Sequence, residues 1–171
     1  MNILELIGQV FGILAVLLGF LSYQVKNDKQ LMLMQTLTSA VFVIHYYLLG
    51  AIPGAVLNIV CIVRNMVYYC KDKKFYKPRL YPILFAVIMF ILGIYSSNGI
   101  HSVFVVAGLV ISTVCFSFKE AQNVRKSVLV TCPMVLIYDV IERSYGGVIY
   151  ESVAIISAIV GIIRYNKNKK A

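Results

Sequence analysis

Five ionisable or strongly polar residues lie inside otherwise apolar segments of this sequence. They are His45, Asn58, Arg64, Asp139 and Glu151. Placing a charged side chain at the centre of a membrane-spanning helix costs about 2.5–3.5 kcal/mol on insertion scales, so such residues commonly mark the pathway of a solute or a proton. A carboxyl group buried in hydrocarbon either finds a partner or binds a proton. Glu151 therefore suits a cationic or proton-coupled solute, or it pairs with a neighbour.

The sequence also leaves structural explanations open for the same residues. His45 and Asp139 lie close enough to one membrane boundary to reach interfacial water. Arg64 lies in the second half of its segment, and its long stem can carry the guanidinium to the opposite surface, which is the explanation we favour. Glu151 follows Gly147 by one turn, so the positive end of its own helix can stabilise the carboxylate.

The elements that position these residues are apolar helices. The chain has 171 residues, of which 60% are hydrophobic and 13% are charged, and its mean hydropathy is +0.84. Soluble proteins are nearer a quarter charged, so the composition predicts an integral membrane protein. Backbone groups in hydrocarbon must be satisfied within the segment and no stretch alternates like a barrel strand, so the fold class is all-α. We predict seven transmembrane helices at about residues 6–25, 30–48, 53–69, 80–96, 100–118, 126–141 and 147–164.

The basic residues predict the orientation of these helices. Cytoplasmic loops are enriched in lysine and arginine, and seven spans put every basic loop on one side, leaving only Arg143 on the other. We therefore expect the N-terminus outside and the C-terminus in the cytoplasm, with the first span retained because no signal peptide is recognisable. The net charge of +9 belongs to these loops, so no nucleic-acid partner is expected. The residues on the basic side are Lys26, Lys29, Lys71, Lys73, Lys74, Lys77, Arg79, Lys119, Arg125, Lys126, Lys167, Lys169 and Lys170.

The two halves of the sequence resemble each other. Three-helix blocks separated by one helix cross the membrane in the same direction, so this is a parallel repeat. The predicted units are residues 1–70 as a first triple-helix bundle, 71–97 as a basic cytoplasmic loop with a linker helix, and 98–171 as a second bundle with a basic cytoplasmic tail. The matching pairs are Val10 with Val106, Gly12 with Gly108 and Phe20 with Phe116, then Thr38 with Thr131, Ile44 with Ile137, Gly54 with Gly147, Val60 with Val153 and Ile62 with Ile155.

A family resemblance rests on residues spread over the whole chain: Gly12, Gly19, the run His45-Tyr-Tyr-Leu-Leu-Gly50, Pro53, Asn58, Arg64, Gly146-Gly147, Glu151 and Arg164. Through them the chain resembles the bacterial YgjV-like inner-membrane family, which implies a location in the inner membrane. Its architecture is similar to that of the sugar-transporting SWEET and PQ-loop superfamily, whose members join two parallel triple-helix bundles through a fourth helix. The Pro-Gln pair of that superfamily appears here as Tyr23-Gln24, and the second repeat has Phe118-Lys119, so the helix kinks that those prolines supply are missing.

The resemblance also implies positions for a solute site. SWEET proteins place asparagines on the third helix of each bundle, and Asn58 and Glu151 match these positions. The repeat aligns Asn58 with Glu151, His45 with Tyr138, Tyr46 with Asp139 and Arg64 with Ser157. We predict as substrate-binding candidates Asn58, Glu151, His45, Asp139 and Tyr138, and as gating candidates Gln24 and Arg64.

These features favour a transporter for a sugar or another small metabolite, in which two bundles rock around a midplane site to give alternating access. The alternative is a non-transporting membrane receptor or assembly factor on the same scaffold, since a fold does not determine a function. Catalytic and phosphate-binding motifs are absent and the cysteines have no metal-type spacing, so we expect no enzyme, metal site or cofactor. The expected partners are the lipid bilayer and a small-molecule solute, and association into a homo-oligomer is left open.

Overall fold

The computed structural model describes residues 3–24, 28–117 and 121–170 of the chain. This part folds into seven α-helices and contains no strand, which confirms the predicted all-α fold and the predicted number of helices. The helices are α1 Ile3–Gln24, α2 Asp28–Leu48, α3 Ile52–Tyr69, α4 Leu80–Tyr95, α5 Ser102–Cys115, α6 Ala121–Ile141 and α7 Tyr145–Lys170.

Two helices of the described chain are long and apolar enough to cross a membrane by length and composition alone. They are Ile3–Ser22 within α1 and Ile52–Tyr69, which is α3. The remaining apolar stretches are shorter, and they still expose large apolar side chains, such as Ile83 and Phe90 on α4. Soluble monomers rarely expose contiguous apolar patches larger than a few hundred Å². Hydrocarbon is therefore the environment that the outer surface fits.

Consecutive helices pack against each other in chain order, and α1 contacts α7 to close a ring. In addition α3 contacts α5, and α4 packs against both of them. Helices that follow each other in the chain run antiparallel. Gln35 near the start of α2 donates to Ser22 near the end of α1, and Gly93 near the end of α4 faces Val106 near the start of α5. We call the end that carries the lysine-rich residues 70–79 the basic end, and the end that carries the α2–α3 and α6–α7 turns the turn end.

The first block, α1–α3, and the second block, α5–α7, are arranged alike. In each block the middle helix contacts the other two, which do not contact each other within the described chain. Each block is thus an open layer, and these contacts do not confirm a compact bundle of three mutually packed helices. The first helix of each block meets the third helix of the other, as α1 meets α7 and α5 meets α3. A two-fold rotation about an axis along the helices generates this pattern, which supports a parallel repeat.

The α2–α3 and α6–α7 turns have the same backbone structure. Residues 45–55 form five backbone hydrogen bonds, and residues 138–148 repeat each of them 93 positions later. The left-handed residue of each turn also recurs, as Gly50 with φ of 75° and Arg143 with φ of 54°. The repeat predicted from the sequence is therefore present in the hydrogen-bonded backbone and not in the residue pattern alone.

Small residues bring α1 and α7 together. Gly12 and Gly146 face each other backbone to backbone, and a Cβ on Gly146 would collide with Gly12. The side chain of Gln9 on α1 holds the start of α7, because its Nε2 donates to the Arg143 carbonyl over 2.7 Å and its Oε1 accepts from the Tyr145 N–H over 3.1 Å. Close approach at small residues is typical of helix packing in membranes. This contact joins the two blocks at the turn end.

Several sequence predictions concern residues that the description of the structure does not reach. The side chain of Gln24, a gating candidate, is one of them, and so are Lys119 and its neighbour Phe118. The predicted orientation also relies in part on such positions. They are Lys26, Lys119, Arg125, Lys167, Lys169 and Lys170, and the family resemblance further includes the side chain of Arg164.

Candidate functional site

A cavity of about 110 Å³ lies inside the ring, between α2 and α3 of the first block and α5, α6 and α7 of the second. One water needs roughly 10–15 Å³, whereas pockets for drug-sized ligands measure roughly 300–1,000 Å³. The cavity therefore has room for several waters or one small solute. Its polar side chains include Gln35, Thr38, Ser39, Asn58, Arg64, Ser112, Ser127, Thr131 and Glu151.

Asn58 of α3 and Glu151 of α7 both line this cavity, from opposite blocks. Asn58 donates from Nδ2 to the Gly54 carbonyl over 2.9 Å. Glu151 is 9% exposed, and the thiol of Cys132 lies beside its carboxyl group. Its Oε2 has no hydrogen-bond partner among the described residues. The cavity thus contains a carboxyl group with unused acceptor capacity.

Arg64 also lines the cavity, although the sequence favoured a surface position for its guanidinium. The side chain is 5% exposed, Nη1 donates to Thr113 Oγ1 over 2.8 Å, and Nε and Nη2 donate to Asn65 Oδ1 over 3.1 and 2.9 Å. The Phe116 ring centroid lies 5.2 Å from its Cζ. The expectation that Arg64 snorkels to the surface is wrong, because these partners hold it inside the ring. Among the described side chains it forms no ion pair with a carboxylate.

A hydrogen bond between the blocks closes the turn end of the cavity. Tyr46 lines the cavity and donates from its phenol to Asp139 Oδ1 over 2.7 Å. Tyr138, next to Asp139, accepts from the backbone N–H of Gly54 over 3.1 Å and so connects α6 to the start of α3. Asp139 is 0% exposed because Gly147 of α7 packs directly on its carboxyl group. The alternative that Asp139 reaches interfacial water is excluded for this reason.

His45 forms a second connection between the blocks at the turn end. Its Nδ1 lies 2.7 Å from the Gly8 carbonyl oxygen and its Nε2 lies 2.7 Å from Ser144 Oγ. A carbonyl oxygen only accepts, so Nδ1 carries a proton, and in the neutral ring Nε2 accepts from the Ser144 hydroxyl. Ser144 Oγ in turn accepts from the Gly147 N–H over 3.2 Å. His45 is 0% exposed because α1 and α7 enclose it. The alternative that it reaches interfacial water is therefore excluded.

The structure divides the five predicted substrate-binding residues into two groups. Asn58 and Glu151 face the cavity, whereas His45, Tyr138 and Asp139 do not line it. The second group lies behind Tyr46 and bonds to the opposite block, which suits sealing the turn end rather than touching a solute. Sequence analysis missed four polar residues, two that form hydrogen bonds at the turn end and two that bond to Arg64. Those residues are Gln9, Ser144, Asn65 and Thr113, of which Gln9 carries a visible signal as the only polar side chain between Glu5 and Ser22.

Several side chains that line the cavity near the basic end are partly exposed. Tyr46, at the turn end, is buried, whereas Gln35, Ser112, Phe116 and Ser127 near the basic end are partly exposed. These four residues belong to α2, α5 and α6 or directly follow α5, so helices of both blocks contribute to the more exposed end. Bonds between the blocks cover the turn end, and the partly exposed lining favours an opening towards the basic end.

Within the described residues no three His, Cys, Asp or Glu side chains come together. Cys61 and Cys132 line the cavity from different helices, and both are free thiols. What the described lining offers is hydrogen-bonding groups, one guanidinium and one carboxyl group.

Comparisons with known proteins give one match. No curated protein and no solved structure matches the chain. A family model described as a bacterial inner membrane protein, Imp-YgjV, matches residues 6–169, which is nearly the whole chain. This agrees with the apolar outer surface and with the residues that carry the YgjV-like resemblance. The chain belongs to the Imp-YgjV family of bacterial inner membrane proteins.

Proposed function

We propose that this protein is a small-solute transporter that crosses the inner membrane seven times and works by movement of its two blocks around the central cavity. The basic end faces the cytoplasm in this proposal, because lysine and arginine are enriched in cytoplasmic loops. The N-terminus then lies outside and the C-terminus inside. The cavity, which opens towards the basic end, is accordingly accessible from the cytoplasm.

The observation that carries this proposal is the position of the cavity between two repeated blocks. Parallel and inverted repeats are typical of secondary transporters, whose solute sites lie at the interface of the repeats near the midplane. Here Asn58 and Glu151 occupy equivalent positions of the two blocks and face one cavity. Apart from tyrosine and cysteine, the ionisable side chains of the described lining are those of Arg64 and Glu151. Ionisable groups inside a membrane commonly mark solute pathways.

Alternating access requires that the turn end open while the basic end closes. The inter-block bonds at the turn end are Tyr46 to Asp139, Ser144 to His45, Gly54 to Tyr138, and the two bonds that Gln9 forms with Arg143 and Tyr145. Interhelical hydrogen bonds in membranes contribute about 0.6 kcal/mol on average and about 1.7 kcal/mol at most, so breaking these five costs about 3 kcal/mol at the average value, which solute binding can supply.

Pro133 gives α6 a position at which it can bend. The residues at the Pro-Gln positions of the SWEET and PQ-loop superfamily are not prolines here, but Pro133 lies inside α6, next to the cavity-lining Cys132. A proline inside a helix removes one backbone hydrogen bond and kinks the helix. In this proposal α6 bends at Pro133 and carries Tyr138 and Asp139 away from the first block.

The test is uptake by the purified protein in lipid vesicles, over a panel of sugars, amines, amino acids and nucleosides at two pH values. We expect at least one solute to accumulate, and Glu151→Gln to abolish its uptake or to make it independent of pH, because glutamine keeps the shape and cannot exchange a proton. Glu142→Gln is the matched control, since Glu142 bonds His101 away from the cavity. If no solute enters under any condition, the receptor or assembly-factor function replaces this proposal.

A further inference from the structure

We infer that the cavity recognises a small zwitterion, with its anionic group on Arg64 and its ammonium group on Glu151. The inference deepens the proposed transport function by naming the solute class. It rests on one buried basic side chain and one buried acidic side chain, which face one cavity and are not paired with each other in the described chain.

Arg64 is the anion-binding end of the site. A guanidinium has five N–H donors, and in the described structure three are used, one each from Nε, Nη1 and Nη2. The two that remain belong to Nη1 and Nη2, the pair of nitrogens that grips a carboxylate with two parallel bonds. Both bound partners, Asn65 and Thr113, are uncharged, so the buried positive charge lacks a counter-ion. A solute carboxylate in the cavity supplies one.

Glu151 is the cation-binding end of the site. Its Oε2 is buried without a hydrogen-bond partner in the described residues, and no lysine or histidine lines the cavity. A solute ammonium group in the cavity can donate to the Glu151 carboxylate and to the Asn58 side-chain oxygen on the opposite block. Removing a charged solute from water requires partners for each of its charges. An unmodified sugar would leave Arg64 and Glu151 uncompensated, whereas a zwitterion satisfies both.

The size and length of the cavity restrict the zwitterion further. The volume of about 110 Å³ is well below the roughly 300–1,000 Å³ of pockets for drug-sized ligands. Asn58 and Arg64 are six residues apart on α3, which corresponds to a rise of about 9 Å, and their side chains converge on one cavity. We therefore expect short, unbranched amino acids, and the separation of their two charges becomes the variable to measure.

The experiment measures equilibrium binding of radiolabelled glycine, β-alanine and γ-aminobutyrate to the purified full-length protein in lipid nanodiscs. Propionate, propylamine and glucose are the competitors that carry one charge or none. We expect at least one amino acid to bind 10-fold or more tightly than each competitor. Arg64→Gln should weaken that binding at least 10-fold and leave propylamine binding unchanged, whereas Glu151→Gln should weaken it similarly and leave propionate binding unchanged.

Two variants guard the result against a folding defect. Glu151→Gln is close in shape to the parent and tests the cationic end even if Arg64→Gln fails to fold, and Glu142→Gln should bind like the parent. The inference is overturned if glucose binds as tightly as every amino acid. It is also overturned if neither Arg64→Gln nor Glu151→Gln changes amino-acid binding. Uptake of the same solutes into vesicles is measured in parallel. Binding without uptake rejects transport and keeps the zwitterion site, whereas uptake of an uncharged solute without amino-acid binding does the reverse.

Discussion

The phenol of Tyr46 donates a 2.7 Å hydrogen bond to the carboxyl group of Asp139, and the two residues hold the same position in the two repeats, 93 residues apart. Their helices, α2 and α6, also touch through the rings of Tyr46 and Tyr138, whose centroids lie 6.1 Å apart. The bond therefore crosses the pseudo-symmetry axis where the cavity ends. It explains how residues at the ends of two separate helices can control access to one cavity.

The first prediction concerns Tyr46→Phe, which removes this bond and leaves Asp139 without its phenol partner. Losing an interhelical hydrogen bond worth about 0.6–1.7 kcal/mol shifts a two-state equilibrium roughly 3- to 20-fold. The native thiols Cys61 and Cys132 line the cavity and report its accessibility. We expect labelling by a membrane-impermeant thiol reagent from the turn end to increase by that factor.

The measurement uses a Cys70→Ser, Cys115→Ser background in vesicles of each orientation, so that only the two cavity thiols react. The matched control is Tyr47→Phe, because Tyr47 is 68% exposed on the outer surface of the same helix. Labelling from the turn end that stays at the parent level in Tyr46→Phe would show that this bond does not close the cavity.

The second prediction exchanges the two partners. Tyr46→Asp and Asp139→Tyr should each lower the thermal unfolding midpoint in detergent, because each single change leaves two like groups facing each other. The double variant should recover at least half of the combined loss, since the two positions are equivalent. Each also lies against a glycine, Gly54 beside Tyr46 and Gly147 beside Asp139. If the unfolding midpoint of the double variant falls by as much as the two single losses added together, the two positions are not equivalent.

The third prediction uses the left-handed residue of each turn. Gly50→Ala should destabilise the fold by about 1–2 kcal/mol, because its φ of 75° is unfavourable for any residue with a Cβ. No atom lies within 4 Å of the added Cβ, so the cost is one of backbone alone. Arg143→Gly, at φ of 54°, should stabilise the fold by about 1 kcal/mol.

Denaturant titration in micelles measures both changes. Arg143→Ala serves as the control, because it removes the exposed charge but keeps the backbone strain, and it should leave stability within about 0.5 kcal/mol of the parent. Equal stabilisation by alanine and glycine would assign the effect to the side chain instead.

The fourth prediction concerns orientation. A reporter that is active only in the cytoplasm should be active when fused after Ala171, and a reporter that is active only in the periplasm should be active when fused before Met1. The reason is the concentration of lysine and arginine at the basic end, where Lys29 also pairs with Asp72 over 3.1 Å. Activity of the periplasmic reporter at the C-terminus would reverse the orientation, and the cavity would then open to the periplasm.

The sequence by itself determined the number and approximate limits of the helices, because every backbone group in an apolar segment must bond within that segment. It also predicted the repeat, from residue matches at a fixed offset such as Thr38 with Thr131 and Gly54 with Gly147. The same offset aligned Asn58 with Glu151, which face one cavity.

Only the tertiary structure decided which polar side chains turn inward. Residues near a helix end have the same depth whether they face headgroups or a neighbouring helix, so sequence position could not distinguish these environments for His45 and Asp139. For Arg64, a long flexible stem reaches either the surface or a partner, and Thr113 on a helix some 49 residues away supplies that partner. The closure of the ring likewise depends on Gly12 meeting Gly146, a contact between distant segments that no local pattern specifies.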